Sequence, residues 1–253
     1  MDKVSVVILT LNEEKNIGRC IDSVKNTADE IIVVDSFSDD STRAICESKG
    51  TTFIQHEFEG YIEQKNWAKN QATYDYVLSL DADEALSENL QQQILNLKTN
   101  GFQYDGYIFN RLTKYCGRWI RHCGWYPDRK LRLWNQHKGD WKGQNPHDRF
   151  EMEKNAKIQS INGDILHYSF YTVEQHIETI NKFSSISAKV LYGRGKRFSF
   201  LKMIFSPVWK FFHAYFIKGG LRDGFYGFVI CCNSSYSKFL KQVKLYQLWN
   251  QQK

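Results

Sequence analysis

The stretch VSVVILTLNEEKNIGRCIDSV, residues 4–24, reads as a buried strand running straight into an amphipathic helix. Ile17, Cys20, Ile21 and Val24 recur at three and four residues, the spacing of one helix face, and Asn12 is placed to act as N-cap. The strand ends in the polar cluster Thr10-Leu11-Asn12-Glu13. Two later strands end the same way: residues 31–34 run into Asp35-Ser36, and residues 76–80 into Asp81-Ala82-Asp83. Parallel strands of an open α/β sheet deliver their carboxyl ends to one edge, so one crevice is expected to collect all three clusters.

Working outward, Asp39-Asp40-Ser41-Thr42 is suited to cap a second helix that stops at Gly50. A third strand over residues 52–55 and a polar helix over 61–71 follow. Alternation of strand and helix to about residue 98 predicts a right-handed doubly wound half-domain. No G-x-G-x-x-G and no G-x-x-x-x-G-K-[ST] follows any strand, which argues against dinucleotide enzymes and P-loop NTPases. From Asp105 the pieces are shorter and extended, residues 106–110, 118–121 and 130–134, followed by a loop over 139–148. The expected organisation is a catalytic domain over residues 1–178, with a nucleotide half at 1–104 and a mixed-sheet acceptor half at 105–178. A helical region at 179–253 completes it, opening from a helix over 174–191.

Charge divides the chain in two. Of the net +6, residues 179–253 carry +12, with 13 Lys/Arg against the single acid Asp223, which leaves −6 for the rest. Within residues 198–217 eight of twenty side chains are aromatic, interrupted by Lys202 and Lys210. No apolar run reaches the ~20 residues of a membrane span, and the first residues do not read as a secretory signal. Basic and aromatic residues mixed at helical spacing suit an interfacial helix on an anionic membrane surface. Packing of the rings onto the body and nucleic-acid binding are the competing readings. The six cysteines show no disulfide framework, and the Cys116-x6-Cys123 spacing around His122 fits no common zinc site.

Asp81 and Asp83, closing a buried strand, are placed to hold Mg²⁺ or Mn²⁺, which takes one or two carboxylates plus phosphate oxygens. The competing reading has Asp83 and Glu84 start the helix near Ser87. A metal so placed neutralises charge on a departing diphosphate, which makes a nucleotide sugar a sensible donor. Asp35 is suited to accept from a base N–H, with Thr10 and Glu13 holding the nucleoside. A turn at Asp35 and a helix start at Thr10 and Glu13 are the alternatives.

VSVVILTLNEEKNIGRCIDSV, DEIIVVDSFSDDST, GYIEQKNWA and VLSLDADE resemble family 2 glycosyltransferases of the GT-A fold. RWIRHCGWYPDRKLRLW, residues 118–134, is similar to a narrower group, the lipopolysaccharide core glucosyltransferases of the bacterial inner membrane. The resemblance covers about residues 3–250 and implies a Rossmann-like nucleotide-sugar domain of GT-A type with a mixed central sheet. It implies that Thr10, Asn12, Glu13 and Asp35 contact uridine, that Gln64 and Lys65 lie near the nucleotide, and that Asp81 and Asp83 serve metal and diphosphate. In such enzymes a carboxylate of the acceptor half deprotonates the acceptor, and the core glucosyltransferases show a His-Glu pair there. This chain reads Asn145-Pro146-His147-Asp148-Arg149, so Asp148, one methylene shorter, takes the base's place unless it only partners the loop. His147 orients the site or fills space, and His167 is a candidate third metal ligand.

Arg118, Arg121, Arg129, Lys130 and Arg132 form a cationic strip beside Trp119, Trp125 and Tyr126. Rings stack on sugar faces and Arg grips phosphate in a bidentate manner, which suits a phosphorylated, lipid-linked saccharide acceptor. The expected activity is inverting, metal-dependent transfer of a hexose, glucose from UDP-glucose first of all, to an inner-core sugar of lipopolysaccharide or lipooligosaccharide. Its expected place is the cytoplasmic face of the inner membrane. Rival readings are transfer to a polyprenyl-linked capsule or O-antigen glycan, nucleotidyl transfer, and a non-catalytic membrane or nucleic-acid adaptor.

Overall fold

The computed structural model describes residues 1–144 and 147–251. The chain forms two compact units, residues 1–111 with 128–168, and residues 112–127 with 169–253. The expected α/β architecture, a mixed central sheet followed by a helical C-terminal region, is the one observed.

In the first unit β1 (Val4–Thr10), β2 (Glu30–Asp35) and β3 (Thr52–Gln55) alternate with α1 (Ile17–Val24), α2 (Thr42–Ser48) and α3 (Tyr61–Lys69). Then come β4 (Tyr76–Asp81), β5 (Glu84–Leu86), α4 (Glu88–Asn100) and β6 (Gly106–Tyr115). After the short β7 (Arg118–Ile120) follow β8 (Asp128–Asn135), β9 (Gly139–Gln144), β10 (His147–Met152) and β11 (Ile158–Phe170). The sheet order is β3-β2-β1-β4-β8-β6-β11-β5, with β7 paired to the end of β6. β1 is parallel to both β2 and β4, and β2 to β3, whereas β8 joins β4 antiparallel. The winding therefore reverses between β1 and β4, and a reversal of that kind opens a crevice at the carboxyl ends of the two strands.

Alternation along β1 supplies both faces of the core. Val4, Val6 and Ile8 pack with Ile17, Cys20, Ile21 and Val24 of α1, while Val7 joins Ala68 of α3, Trp134, Trp141 and Phe150. Residues 139–144 and 147–152, the first stretch expected to be a loop, pair as an antiparallel hairpin instead. Its Trp141 and Phe150 are buried against Trp134, a tertiary contact that a local reading of a polar segment does not reveal. Asn12 is not the α1 cap. It sits at φ 55°, Asn16 precedes the helix, and the Asn12 side chain accepts from Asp39 N at 2.9 Å.

The second unit contains β7, α5 (Val173–Gly193), α6 (Phe200–Phe212) and α7 (Gly224–Asn250). Its core gathers Tyr115, Ile120, Cys123, Ala214, Ile230 and Cys231. Asp223 is buried and accepts from the backbone N–H of His122 at 2.8 Å and lies 2.9 Å from the His122 ring. Among the described residues no helix is long and apolar enough to cross a membrane.

Candidate active site

Ladder register brings the predicted residues to one edge. Thr10 lies opposite Asp35 across β1 and β2, and Leu9 lies opposite Asp81 across β1 and β4. A one-residue slip in either pairing would turn these groups to the other face.

Asp35 is fully buried and forms the turn that was its alternative reading. It accepts from Ser38 N at 2.9 Å, pairs with the Ser38 hydroxyl, and accepts from Gln55 at 3.3 Å. Glu13 accepts from the Asn16 amide at 2.8 Å, and burial raises its pKa, with nearby Asp83 adding to the rise. Gln64 donates to the Ser36 hydroxyl at 3.2 Å and meets the His56 ring at 2.8 Å.

The charged centre is built on α3, whose buried side chains include Gln64, Lys65, Ala68 and Lys69. Buried lysines need partners, and the hairpin of β9 and β10 supplies them. Lys69 pairs with Asp140 at 2.6 Å, and Asn66 holds the hairpin by exchanging two 2.9 Å bonds with the Trp141 backbone. That docking delivers Asp148 to Lys65, Nζ to Oδ2 2.6 Å, while the same ammonium lies 3.8 Å from Asp81.

On its other side Asp81 accepts from Arg132 Nη2 at 2.9 Å, and that nitrogen also reaches Glu84 at 2.8 Å. Glu84 is buried, receives Arg111 at 3.2 Å and accepts from Asp81 N at 3.1 Å. Burial alone would raise the Asp81 pKa, but Lys65 and then Arg132 outweigh it and hold the carboxyl well below the usual range. Arg132 is shifted the other way: burial would lower its pKa, and Glu84 and Asp81 raise it further above its ordinary value.

Arg132 was grouped with the cationic strip, yet at 3% exposure it is an internal anchor for Asp81 and Glu84. Arg129 is exposed on β8. Arg118, Arg121, Trp125 and Tyr126 belong to the second unit. There Arg121 lies over the Tyr126 ring at 5.5 Å, and Trp125 packs edge-on to Tyr115. Glu84 was not singled out from sequence as a site residue, although its place three residues after Asp81 at the end of a buried strand was the available signal. Residues 145–146 and the His147 side chain, parts of the expected base motif, lie outside the described residues.

Two side chains at this edge carry buried polar atoms without partners. Thr10 Oγ1 and Arg132 Nε and Nη1 have none among the described residues, and an unsatisfied buried group costs about 1–3 kcal/mol. Asp83 faces His167, Oδ2 to Nε2 3.0 Å, and both side chains are partly open. No group of three or more His, Cys, Asp or Glu converges among the described residues. The Asp83 carboxylate suits a hard cation whose remaining ligands are phosphate oxygens, and the His167 imidazole beside it is a softer donor. The edge thus combines the cations Lys65 and Arg132, the partly open Asp83–His167 pair and the carboxylates Asp81 and Asp148.

The sequence model described as Glycosyl transferase family 2 matches residues 5–174. A Rickettsia typhi protein called an uncharacterized glycosyltransferase is 35% identical over 257 residues, spanning 98% of this chain and 88% of its own. The Rhizobium meliloti protein named lipopolysaccharide core biosynthesis glycosyltransferase LpsC is 31% identical over 255 residues, spanning 96% of this chain and 92% of its own. Among solved structures, S. aureus TarS 1–349 aligns over 99% of this chain and 92% of its own, with a TM-score of 0.46 and 14% identity.

Proposed function

We propose, from the premise that the chain belongs to glycosyl transferase family 2, that this glycosyltransferase inverts configuration as it moves a hexose, glucose from UDP-glucose first of all, to an inner-core sugar of lipopolysaccharide or lipooligosaccharide. The observation that carries the reading is the meeting of Asp81 and Asp148 on one ammonium, that of Lys65, at 3.8 and 2.6 Å. A donor-side carboxylate and an acceptor-side carboxylate then share one locus, as a single displacement requires. The name of the Rhizobium relative supports the choice of acceptor.

In this mechanism Thr10, Asn12, Glu13, Asp35 and Gln64 seat the uridine. Lys65 presents positive charge to the diphosphate, whose negative charge grows as the sugar leaves, and Arg132 holds Asp81 in place beside it. The acceptor hydroxyl oxygen bonds to the anomeric carbon as the bond from that carbon to the diphosphate oxygen breaks, and the hydroxyl proton passes to Asp148. One displacement inverts the centre and needs no covalent sugar on the protein. Asp83, with Asp81 beside it and His167 as a further donor, would hold Mg²⁺ or Mn²⁺. When bound, the ion supplies charge neutralisation to UDP. Arg118, Arg121, Arg129, Trp125 and Tyr126 are assigned to a lipid-linked acceptor, stacking on its sugars and pairing with its phosphates. The basic, aromatic C-terminal helices keep the enzyme peripheral on the cytoplasmic face of the inner membrane, where that acceptor lies.

A UDP-release assay over a panel of UDP-hexoses, with and without Mn²⁺, tests the donor and the metal together. Asp148→Asn is expected to lower turnover by about 10²–10⁴-fold with donor KM unchanged. Full turnover in that variant would remove Asp148 as the base.

A further inference from the structure

Helix α6 is flanked by two clefts against α7. One, of about 420 Å³, is apolar and lined by Met203, Pro207 and Phe211 with Tyr236 and Phe239. The other, of about 440 Å³, is lined by Lys202 and Lys210 from α6, Lys238 and Lys241 from α7, with His213 and Gln242. None of these four lysines forms an ion pair among the described residues. The cause lies in the sequence, because Asp223 is the only acid beyond residue 178 and is already engaged by His122. Burial, and then the neighbouring Lys238, lower the pKa of Lys241. Four like charges around one cleft repel one another unless an anion enters.

The outward face of α6 is the second observation. Leu201, Phe205, Val208 and Phe212, spaced four, three and four residues apart, are 67%, 64%, 64% and 47% exposed, and Trp209 at the lip of the basic cleft is 61% exposed. A helix of a soluble protein turns such a stripe inward. A helix that lies in a membrane interface turns it outward and keeps its cations beside it.

We infer that the four-lysine cleft binds the phosphate of an anionic phospholipid headgroup while the stripe of α6 lies among the acyl chains. The inference rests on the peripheral membrane reading above and names the lipid chemistry that the reading needs. A phosphate without chains would satisfy the lysines but leave the stripe in water, which is why a lipid is the assigned source.

The test uses the full chain in flotation with vesicles of phosphatidylcholine alone, or mixed in equal parts with phosphatidylglycerol. The unaltered protein is expected to float only with the mixed vesicles. Lys238→Gln with Lys241→Gln should weaken that partition about thirty-fold, about five-fold for each lysine near an anionic surface. Lys238→Arg with Lys241→Arg should restore it, and matching circular dichroism will show that the variants are folded. Lys182→Gln with Lys189→Gln, two exposed lysines of α5 outside the cleft, should cost less than about three-fold. Equal losses in the two pairs would mean diffuse attraction and overturn the cleft while leaving the membrane reading intact. No flotation of the unaltered protein would remove both. Millimolar glycerol 3-phosphate is expected to leave flotation unchanged, and displacement by it would overturn the lipid source in favour of a free phosphate ligand.

Discussion

Replacing Arg132 by Met is the most direct probe of how the site is held together. The change keeps an unbranched stem of similar length but withdraws the guanidinium that lies 2.9 Å from Asp81 and 2.8 Å from Glu84. Glu84, whose side chain is fully buried, would be left with Arg111 at 3.2 Å, and Asp81 with Lys65 at 3.8 Å. Breaking a buried ion pair costs about 3–5 kcal/mol, because a charge stays desolvated and unpaired. Two features of the structure set the value near the lower end. Arg111 still faces Glu84, and the Asp81 side chain, 35% exposed, recovers some hydration. The expected loss is therefore about 3 kcal/mol. Glu84→Gln in the same background removes the stranded charge, so the double variant should recover about 2 kcal/mol relative to additivity. Urea unfolding of the four proteins of this cycle at neutral pH measures both numbers. Lys130→Met, whose pair with Asp128 is a third exposed on each side, should change stability by less than about 0.5 kcal/mol. A loss below about 1 kcal/mol for Arg132→Met, or simple additivity with Glu84→Gln, would refute the assignment of Arg132 as the anchor of the two carboxylates.

Asp83→Asn and His167→Ala should each raise the Mn²⁺ concentration for half-maximal turnover by about ten-fold or more, and an unchanged metal requirement would take both out of the metal site. His176, buried among Tyr115, Trp125 and Phe170, has its pKa lowered by burial from 6.5 to about 4. The unfolded chain takes up the proton first, so this contribution is fully present above pH 6.5 and drains by about 3 kcal/mol as pH falls toward 4. Urea midpoints across that window should flatten in His176→Phe, and an unchanged slope would show that other groups set the acid sensitivity. Gly227→Ala would press a methyl on the Gly220 carbonyl oxygen, beneath the first turns of α7, and should cost about 3 kcal/mol in chemical denaturation. Gly193→Ala, which meets nothing within 4 Å, should be neutral or stabilising by up to about 1 kcal/mol, and equal effects of the two would deny the close packing at Gly227.

The first half of the sheet was legible because its signals are local. The β-branched runs of β1, β2 and β4 and the 3.6-residue spacing of α1 are patterns of neighbouring residues, and the order of strands and helices leaves few ways to wind a sheet. Their polar endings could accordingly be assigned to one crevice before any contact was known. The inverted polarity of α6 was harder to read. Its aromatics and lysines were visible, but which face they occupied depended on where α7 lies. Residues 139–148, which hold β9 and the start of β10, were read as a loop because the partners that stabilise the hairpin, Trp134, Asn66 and Lys69, are remote in sequence.

By itself the sequence determined the alternation of strands and helices, the acidic strand ends and the split between an acidic body and a basic tail, since backbone propensity, side-chain periodicity and charge are properties of short segments. Only the tertiary structure decided which charges meet. Lys65 finds Asp148 from 83 positions away, and Arg132 leaves the surface strip to hold Asp81 and Glu84. Coulomb attraction acts on distance in space and strengthens as water is excluded, so its pairings are settled by packing and not by spacing along the chain.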